Sequence, residues 1–359
     1  FRQAWARYSD NVTALDYWAG DLLRQLDEDG LADTTLVVFW SDHGRGFPRA
    51  KRWPYESGLR EPLIVRWPGK IAPGTVRNEL VYLMDLAPTT MLAAGLQPPD
   101  YMHARPLFDA DGVFSNGRKM VFGHRDRMDE TEDTMRTVRD ERFRYIRNYH
   151  PDRPYAQHLE YVESIPVWHE LRRLRFDEAR QRGMGDDTPL LTPAQRRFLD
   201  TTKPPEELYD LHHDPYELHN LAGDPLYAEV LARFRLELDQ WQGQYGDLGL
   251  LPEDELIEQW RPGGTMQITA PPQVTHENGY LAATCATEGA SIVWTHDPPG
   301  DRTPAAGFGA VTGAPDMGGR TWHLYSQPFM PHDTGTLWFR AHRIGFRHSD
   351  DVAMPPGDV

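Results

Sequence analysis

A single cysteine, Cys285, is all the sequence holds. That excludes an intrachain disulfide framework and leaves the redox compartment open. No apolar run nears the ~20 residues that cross a bilayer as a helix, so no stretch reads as a membrane span. Positive charge is scarce: 38 Lys and Arg stand against 54 Asp and Glu, for a net −16 at pH 7. This balance excludes a general nucleic-acid binder, whose phosphate contacts need clustered cations. It leaves room for a small anionic substrate met by a few local Lys or Arg. The 15 histidines show no His-Glu-x-x-His spacing, so zinc-protease chemistry has no support. Internal repeats and long low-complexity tracts are lacking too. The opening at Phe1 lacks an initiator and a charged-then-apolar leader, and helical periodicity begins almost at once. The expectation is a fragment or processed chain, and no localisation follows from it.

What is present begins with length. A chain of 359 residues at 39% hydrophobic content has room for two or three domains. Val12, Leu15, Trp18, Ala19, Leu22, Leu23 and Leu26 recur at helical spacing and predict a helix over Asn11–Asp27 that covers a sheet. Leu36–Trp40 is too short for a helix and rich in β-branched and aromatic residues, so it predicts a buried strand and half of a βαβ unit. Pro62–Trp67 predicts a second strand, and Leu80–Gly95 a helix that Pro88 kinks or resets. Met120–Gly123, Thr134–Arg139 and Arg142–Tyr149 read as strands of an antiparallel meander with one wet face. Pro151–Lys203 is polar and helical in parts, notably Val167–Arg182. Glu206–Leu211 then reads as an edge-like strand, and Asp224–Trp241 as an amphipathic helix. Composition shifts at Arg261-Pro262-Gly263-Gly264. Beyond it, Met266–Thr269, Ala290–Thr295, Thr321–Tyr325 and Thr336–Ala341 predict short strands of a small β-sandwich.

The chemistry concentrates after the first strand, in Ser41-Asp42-His43-Gly44 and the basic residues Arg49, Lys51 and Arg52. A carboxylate and an imidazole at the carboxyl end of a strand sit where α/β sheets open a ligand crevice. Asp42 and His43 could hold a divalent cation, yet two ligands are not a site, and imidazole is an unusual donor for calcium. An Asp-His turn closed by a side-chain hydrogen bond is the other reading. Lys51 beside them suits an anionic group such as a sulfate or phosphate ester. Its alternative is a solvated basic loop. His124, leaving a strand into Arg125-Asp126-Arg127, suits a sugar or sulfate oxygen, against a surface ion-pair cluster. Cys285 has no His or cation near it in sequence and reads as a satisfied core thiol.

At Ser41–Gly44, Lys51 and Tyr55-Glu56-Ser57-Gly58-Leu59-Arg60-Glu61-Pro62-Leu63-Ile64-Val65, the sequence resembles the sulfatases of the alkaline phosphatase superfamily. The likeness continues at Leu83-Met84-Asp85-Leu86-Ala87-Pro88-Thr89, Glu207–Leu211, Asp214–Leu218 and Asn220-Leu221. Phe47-Pro48 ahead of Lys51 and the Arg136–Asn148 stretch lie nearest the sulfamidase-like branch. The resemblance implies a Ca2+ ion held by Asp42, by a side chain at position 43 (Asn in some members, His43 here) and by two Asp from an amino-terminal strand. It implies sulfate binding by Lys51, substrate contact by His124, and a sulfated saccharide as substrate. It also implies a formylglycine nucleophile made in a Cys-x-Pro-x-Arg motif, expected upstream. No such motif is here; Cys285 is followed by Ala286-Thr287-Glu288-Gly289.

The implied fold is α/β. Residues 1–119 would be the carboxyl-terminal part of an alkaline-phosphatase-like sheet-and-helix domain. Residues 120–262 would form an α+β subdomain with a small antiparallel sheet. Residues 265–359 resemble the β-sandwich that follows chitobiase-type hydrolases, through Thr287–Thr295, Arg343–Phe346 and Ser349, with a loose insertion at Pro298–Gly318. A periplasmic or extracellular place is what the family implies. Two other readings stay open: a phosphonate or phosphate monoester hydrolase of the same superfamily, and a catalytically inert structural or carbohydrate-binding piece.

Overall fold

The computed structural model describes residues 1–299, 320–331 and 335–355. They form two compact units, Phe1–Gly249 and Leu250–Val359.

The first unit opens with α1 (Arg2–Glu28), which starts earlier than its apolar stripe predicts and buries none of its residues. Trp18 and Leu22 lie exposed, while Trp5 packs its ring edge on Phe47 at 4.7 Å. The expectation that this helix covers a sheet fails, for a physical reason. The nearest sheet in sequence is only two four-residue strands, too small a platform to bury so long a helix. These are β1 (Val37–Trp40) and, after the short α2 (Glu56–Leu59), β2 (Leu63–Arg66). They pair antiparallel, from Val37 opposite Arg66 to Trp40 opposite Leu63. The βαβ reading is therefore corrected: a parallel pair needs a full crossover, and the link here holds a single helical turn. Trp40 and Ile64 stay exposed, so neither strand is buried.

Next comes α3 (Leu86–Ala93), shorter than expected because Leu83–Asp85 forms a separate tight turn. Pro88 falls in its first turn, where a missing N–H breaks no helical hydrogen bond. The meander follows as β3 (Val121–Arg125), β4 (Met135–Arg139) and β5 (Phe143–Asn148). Then α4 (Glu160–Glu163), α5 (Pro166–Gly183) and α6 (Pro193–Phe198) lead to β6 (Glu206–Asp210) and α7 (Ala228–Tyr245). The sheet is antiparallel throughout, in the order β3-β4-β5-β6, with β6 at an edge. It has no wet face. Met135, Ile146 and Tyr209 look into a core with Trp53, Trp168 and Phe198. Val138, Tyr145 and Leu208 look the other way, onto Phe234 and Leu238 of α7.

In the second unit, α8 (Glu253–Trp260) precedes the hairpin β7 (Gln273–Glu277) and β8 (Tyr280–Thr284). A four-stranded sheet follows, made of β9 (Ser291–Thr295), β10 (His323–Leu324), β11 (Leu337–His342) and β12 (Val352–Met354), in the order β10-β9-β11-β12. Leu281, Ile292 and Phe339 share one core between the two sheets. Met266–Thr269 forms no strand; Ile268 makes one isolated bridge to Arg347. The Pro298–Gly318 insertion lies, from 300 onward, outside the described residues. Cys285 is half-buried against this core and donates to the Ala270 carbonyl at 3.2 Å, as a satisfied thiol should.

Candidate functional site

The loop from Gly44 to Gly58 carries Lys51, and two glycines close it. Gly44 N–H donates to the Gly58 carbonyl at 3.3 Å. A Cβ on Gly44 would meet the Ser57 carbonyl at 2.1 Å, and one on Gly58 would meet the Trp53 carbonyl at 2.3 Å. Only glycine permits that approach of backbone to backbone. Within the loop Lys51 N–H donates back to the Arg45 carbonyl at 3.0 Å. Arg49 and Arg52, two and one residues from Lys51 in sequence, have φ of 62° and 83°, a left-handed conformation that side chains disfavour.

Buried polar contacts pin this loop to the four-stranded sheet. Glu56 takes the Arg139 Nε at 2.8 Å and also pairs with Arg144. Arg144 continues to the Pro54 carbonyl at 3.2 Å and to Glu217 at 3.0 Å. Glu217 accepts the Glu56 backbone N–H at 2.8 Å, and burial pushes its carboxyl up to about 7, with Arg144 and Arg49 opposing the rise. Arg49 donates to the Tyr216 carbonyl at 2.7 Å and lies 3.8 Å from the Tyr55 ring centre. Tyr55 reaches Glu207, a fully buried carboxylate that accepts from three hydroxyls: Tyr55 at 2.8 Å, Tyr155 at 2.7 Å and Tyr209 at 2.6 Å. The void beside Arg49, Tyr55, Tyr209 and Glu217 measures ≈ 20 Å³, room for a water and not for a sugar. Arg49 is thus a structural pin, which corrects the solvated-loop alternative for this residue.

Asp42 and His43 stand at the surface with side chains 80% and 42% exposed, His43 Nε2 lying 3.3 Å from Asp42 Oδ2. His43 Nδ1 is 2.9 Å from the Gly44 carbonyl oxygen. Glu61, which the sequence reading passed over, interacts with Ser41, Asp42 and His43; burial raises its carboxyl, and the Ser41 hydroxyl opposes the rise. Among the described residues no group of three or more His, Cys, Asp and Glu is arranged to hold a metal ion. The hard Asp42 oxygen suits a cation, but this pair alone does not complete a coordination shell.

Lys51 is half-buried, its Nζ 5.2 Å from the centre of the Tyr161 ring. Arg52 shares that ring at 4.6 Å and approaches Asp129 at 3.4 Å. His124 is exposed on β3, opposite Arg136 in the register. Its neighbour Arg125 is buried, with its guanidinium 5.0 Å from the Trp53 ring. That overturns the reading of Arg125-Asp126-Arg127 as a surface ion-pair cluster. Strand alternation explains it: β3 places His124 and Arg125 on opposite faces. Tyr161 lay in the stretch whose sequence had no clear pattern, and nothing local could have linked it to Lys51.

The sulfatase family model matches residues 2–96. An ulvan-active sulfatase of Formosa agariphila is 37% identical over 360 residues, covering 100% of this chain and 55% of that protein. The human N-sulphoglucosamine sulphohydrolase is 28% identical over 274 residues, 71% of this chain and 50% of its own length. A solved protein in complex with its substrate D-glucosamine-2-N,6-O-disulfate overlays with a TM-score of 0.48 at 23% identity, covering 67% of this chain and 41% of that one. The chain spans about half the length of the curated relatives it matches.

Proposed function

We propose that the whole protein is a sulfatase that hydrolyses sulfate esters or sulfamates of a sulfated saccharide; residues 2–96 match the sulfatase family model, and an ulvan-active sulfatase is similar along the full chain. The observation that carries this reading is the placement of Lys51. An ammonium group held on a glycine-closed loop, pinned by buried ion pairs, suits recognition of a sulfate. Preorganised cations stabilise charge that builds on transferring oxygens, because they need not reorient when the charge appears. The relationship to the ulvan-active sulfatase runs along the full chain and supports the saccharide as substrate class.

Lys51 binds a sulfate oxygen in this reading, and the exposed His124 contacts the saccharide. Asp42 and His43 are the donors this chain offers to Ca2+. A divalent cation there would offset charge on the sulfate oxygens. The 359 residues contain no Cys-x-Pro-x-Arg motif, so none of them is proposed as the nucleophile, and a formylglycine would be supplied elsewhere in the whole protein. The second unit, with its two-sheet core, is proposed as a module for packing or polysaccharide proximity.

The test is release of sulfate from sulfated oligosaccharides by the whole protein and by residues 1–359 alone, with wild-type and Lys51→Ala versions. Sulfate release by the whole protein that collapses in Lys51→Ala supports the proposal. Phosphate or phosphonate ester cleavage in its place overturns the sulfate assignment. Turnover by residues 1–359 alone overturns the view that the nucleophile lies outside them.

A further inference from the structure

We propose that Arg52 and Arg125, together with the Trp53 indole N–H, form a second anion-recognition point beside Lys51. It would take a carboxylate or a second sulfate on the same saccharide. The proposal rests on the sulfatase reading above.

These three side chains carry donors without acceptors. The Arg52 side chain is 6% exposed and Arg125 is 4% exposed. Four buried donors on these residues have no hydrogen-bond partner: Arg52 Nε, Trp53 Nε1, and Arg125 Nε and Nη1. A buried polar group left unpaired is costly, and a buried guanidinium more so. The neighbouring acceptors do not offset that. Asp129 comes only within 3.4 Å of Arg52, and Gln157 within 3.5 Å of Arg125. Asp133 faces Arg125 electrostatically, but its two oxygens are engaged by Lys203 Nζ at 3.0 Å and 3.2 Å. Burial pushes the Arg125 guanidinium down from its ordinary value; Asp133 opposes this and Arg52 adds to it.

A run of neighbouring contacts links the three groups, and Arg52 acts electrostatically on Arg125. Arg52 and Lys51 share the Tyr161 ring, Trp53 follows directly in sequence, and Arg125 lies over the Trp53 ring. The left-handed φ of Arg52 adds strain of the kind that persists at ligand clamps. Guanidinium forks match the paired oxygens of carboxylate and sulfate, and an indole N–H is a donor only. An oxyanion is the ligand that satisfies such a set.

Calorimetric titration of the full chain tests this. The probes are glucose 6-sulfate, glucuronate, and two disaccharides of one framework, one carrying a sulfate and a carboxylate, the other two sulfates. The wild type is expected to bind either dianionic disaccharide at least tenfold tighter than glucose 6-sulfate. Arg125→Met and Arg52→Gln should abolish that preference while leaving glucose 6-sulfate affinity within twofold. The disaccharide bound tighter tells whether carboxylate or sulfate is preferred. Arg125→Met should also melt at or above the wild-type temperature, since it removes unpaired buried donors. A wild type without the preference, or one binding no probe, overturns the proposal whatever the variants do. So does a folded Arg125→Met or Arg52→Gln that keeps the preference. Lys51→Ala separates the two readings. If it leaves sulfate affinity unchanged while the dianion preference still requires Arg125, the sulfate role of Lys51 fails and the second anion point stands.

Discussion

At the scale of single residues, buried charge is where this chain is most vulnerable. Glu207 has no exposure and gathers three tyrosine hydroxyls and the Asn148 amide, the last at 2.7 Å. Glu207→Ala would strand all four donors at once. The expected loss is about 3–5 kcal/mol of unfolding free energy, the scale of removing one partner of a buried charged network, read by urea denaturation. Asp210 gives a pH-dependent case. Hydrogen bonds from Arg142 hold its carboxyl down at about 2 from the ordinary 3.8. A depressed carboxylate stabilises the fold above its unfolded pKa and loses that stabilisation as pH falls through the folded value. Arg142 is nearly half exposed, so solvent screens the pair. Asp210→Asn is therefore expected to cost about 1–2 kcal/mol at pH 7 and nearly nothing near pH 2, measured by unfolding at both pH values. For catalysis, Lys51→Ala should raise the barrier by about 3 kcal/mol, roughly a hundredfold in sulfate release, as for one lost oxyanion contact.

At the scale of elements, the four-stranded sheet decides what holds the Lys51 loop. Periodicity located β3, β4 and β5 to within a residue or two, because alternating side chains mark a strand whatever covers it. It misjudged their exposure. Phe143 and Tyr145 look onto α7, and Ile146 looks onto Trp53 and Trp168, partners remote in sequence. Leu238→Ala in α7 is expected to cost about 2–5 kcal/mol, since Leu238 is fully buried in that second core, with the loss read from equilibrium unfolding. The hairpin β7–β8 is written in its turn. Asn278-Gly279 between two short runs is the strongest local hairpin signal, and here the two residues have φ of 52° and 81°. Gly279→Ala places a Cβ in that left-handed position and is expected to cost about 1 kcal/mol or more, visible as faster amide exchange in β7 and β8.

At the scale of the whole molecule, the described residues of the first unit hold two cores, around Trp168 and around Phe234, and those of the second unit hold one, around Phe339. Phe339 is fully buried, so Phe339→Ala should cost about 3–5 kcal/mol in the second unit, read as faster amide exchange in β9 and β11. The sequence by itself carried the sulfatase resemblance, through ordered blocks such as Ser41–Gly44 and Tyr55–Val65. It also determined most strand and helix positions, because motif spacing and side-chain period are written along one chain. Only the tertiary structure decided that β1 and β2 run antiparallel and stay half-buried, and that Arg49 is a pin rather than a solvated charge. It alone put Arg52, Arg125 and Trp53 together beside Lys51 with donors unmet. The reason is that burial and pairing depend on which distant segments meet. β3 and α4 bring Arg125 and Tyr161 to a loop about 70 and 110 residues earlier, and no local pattern encodes that meeting.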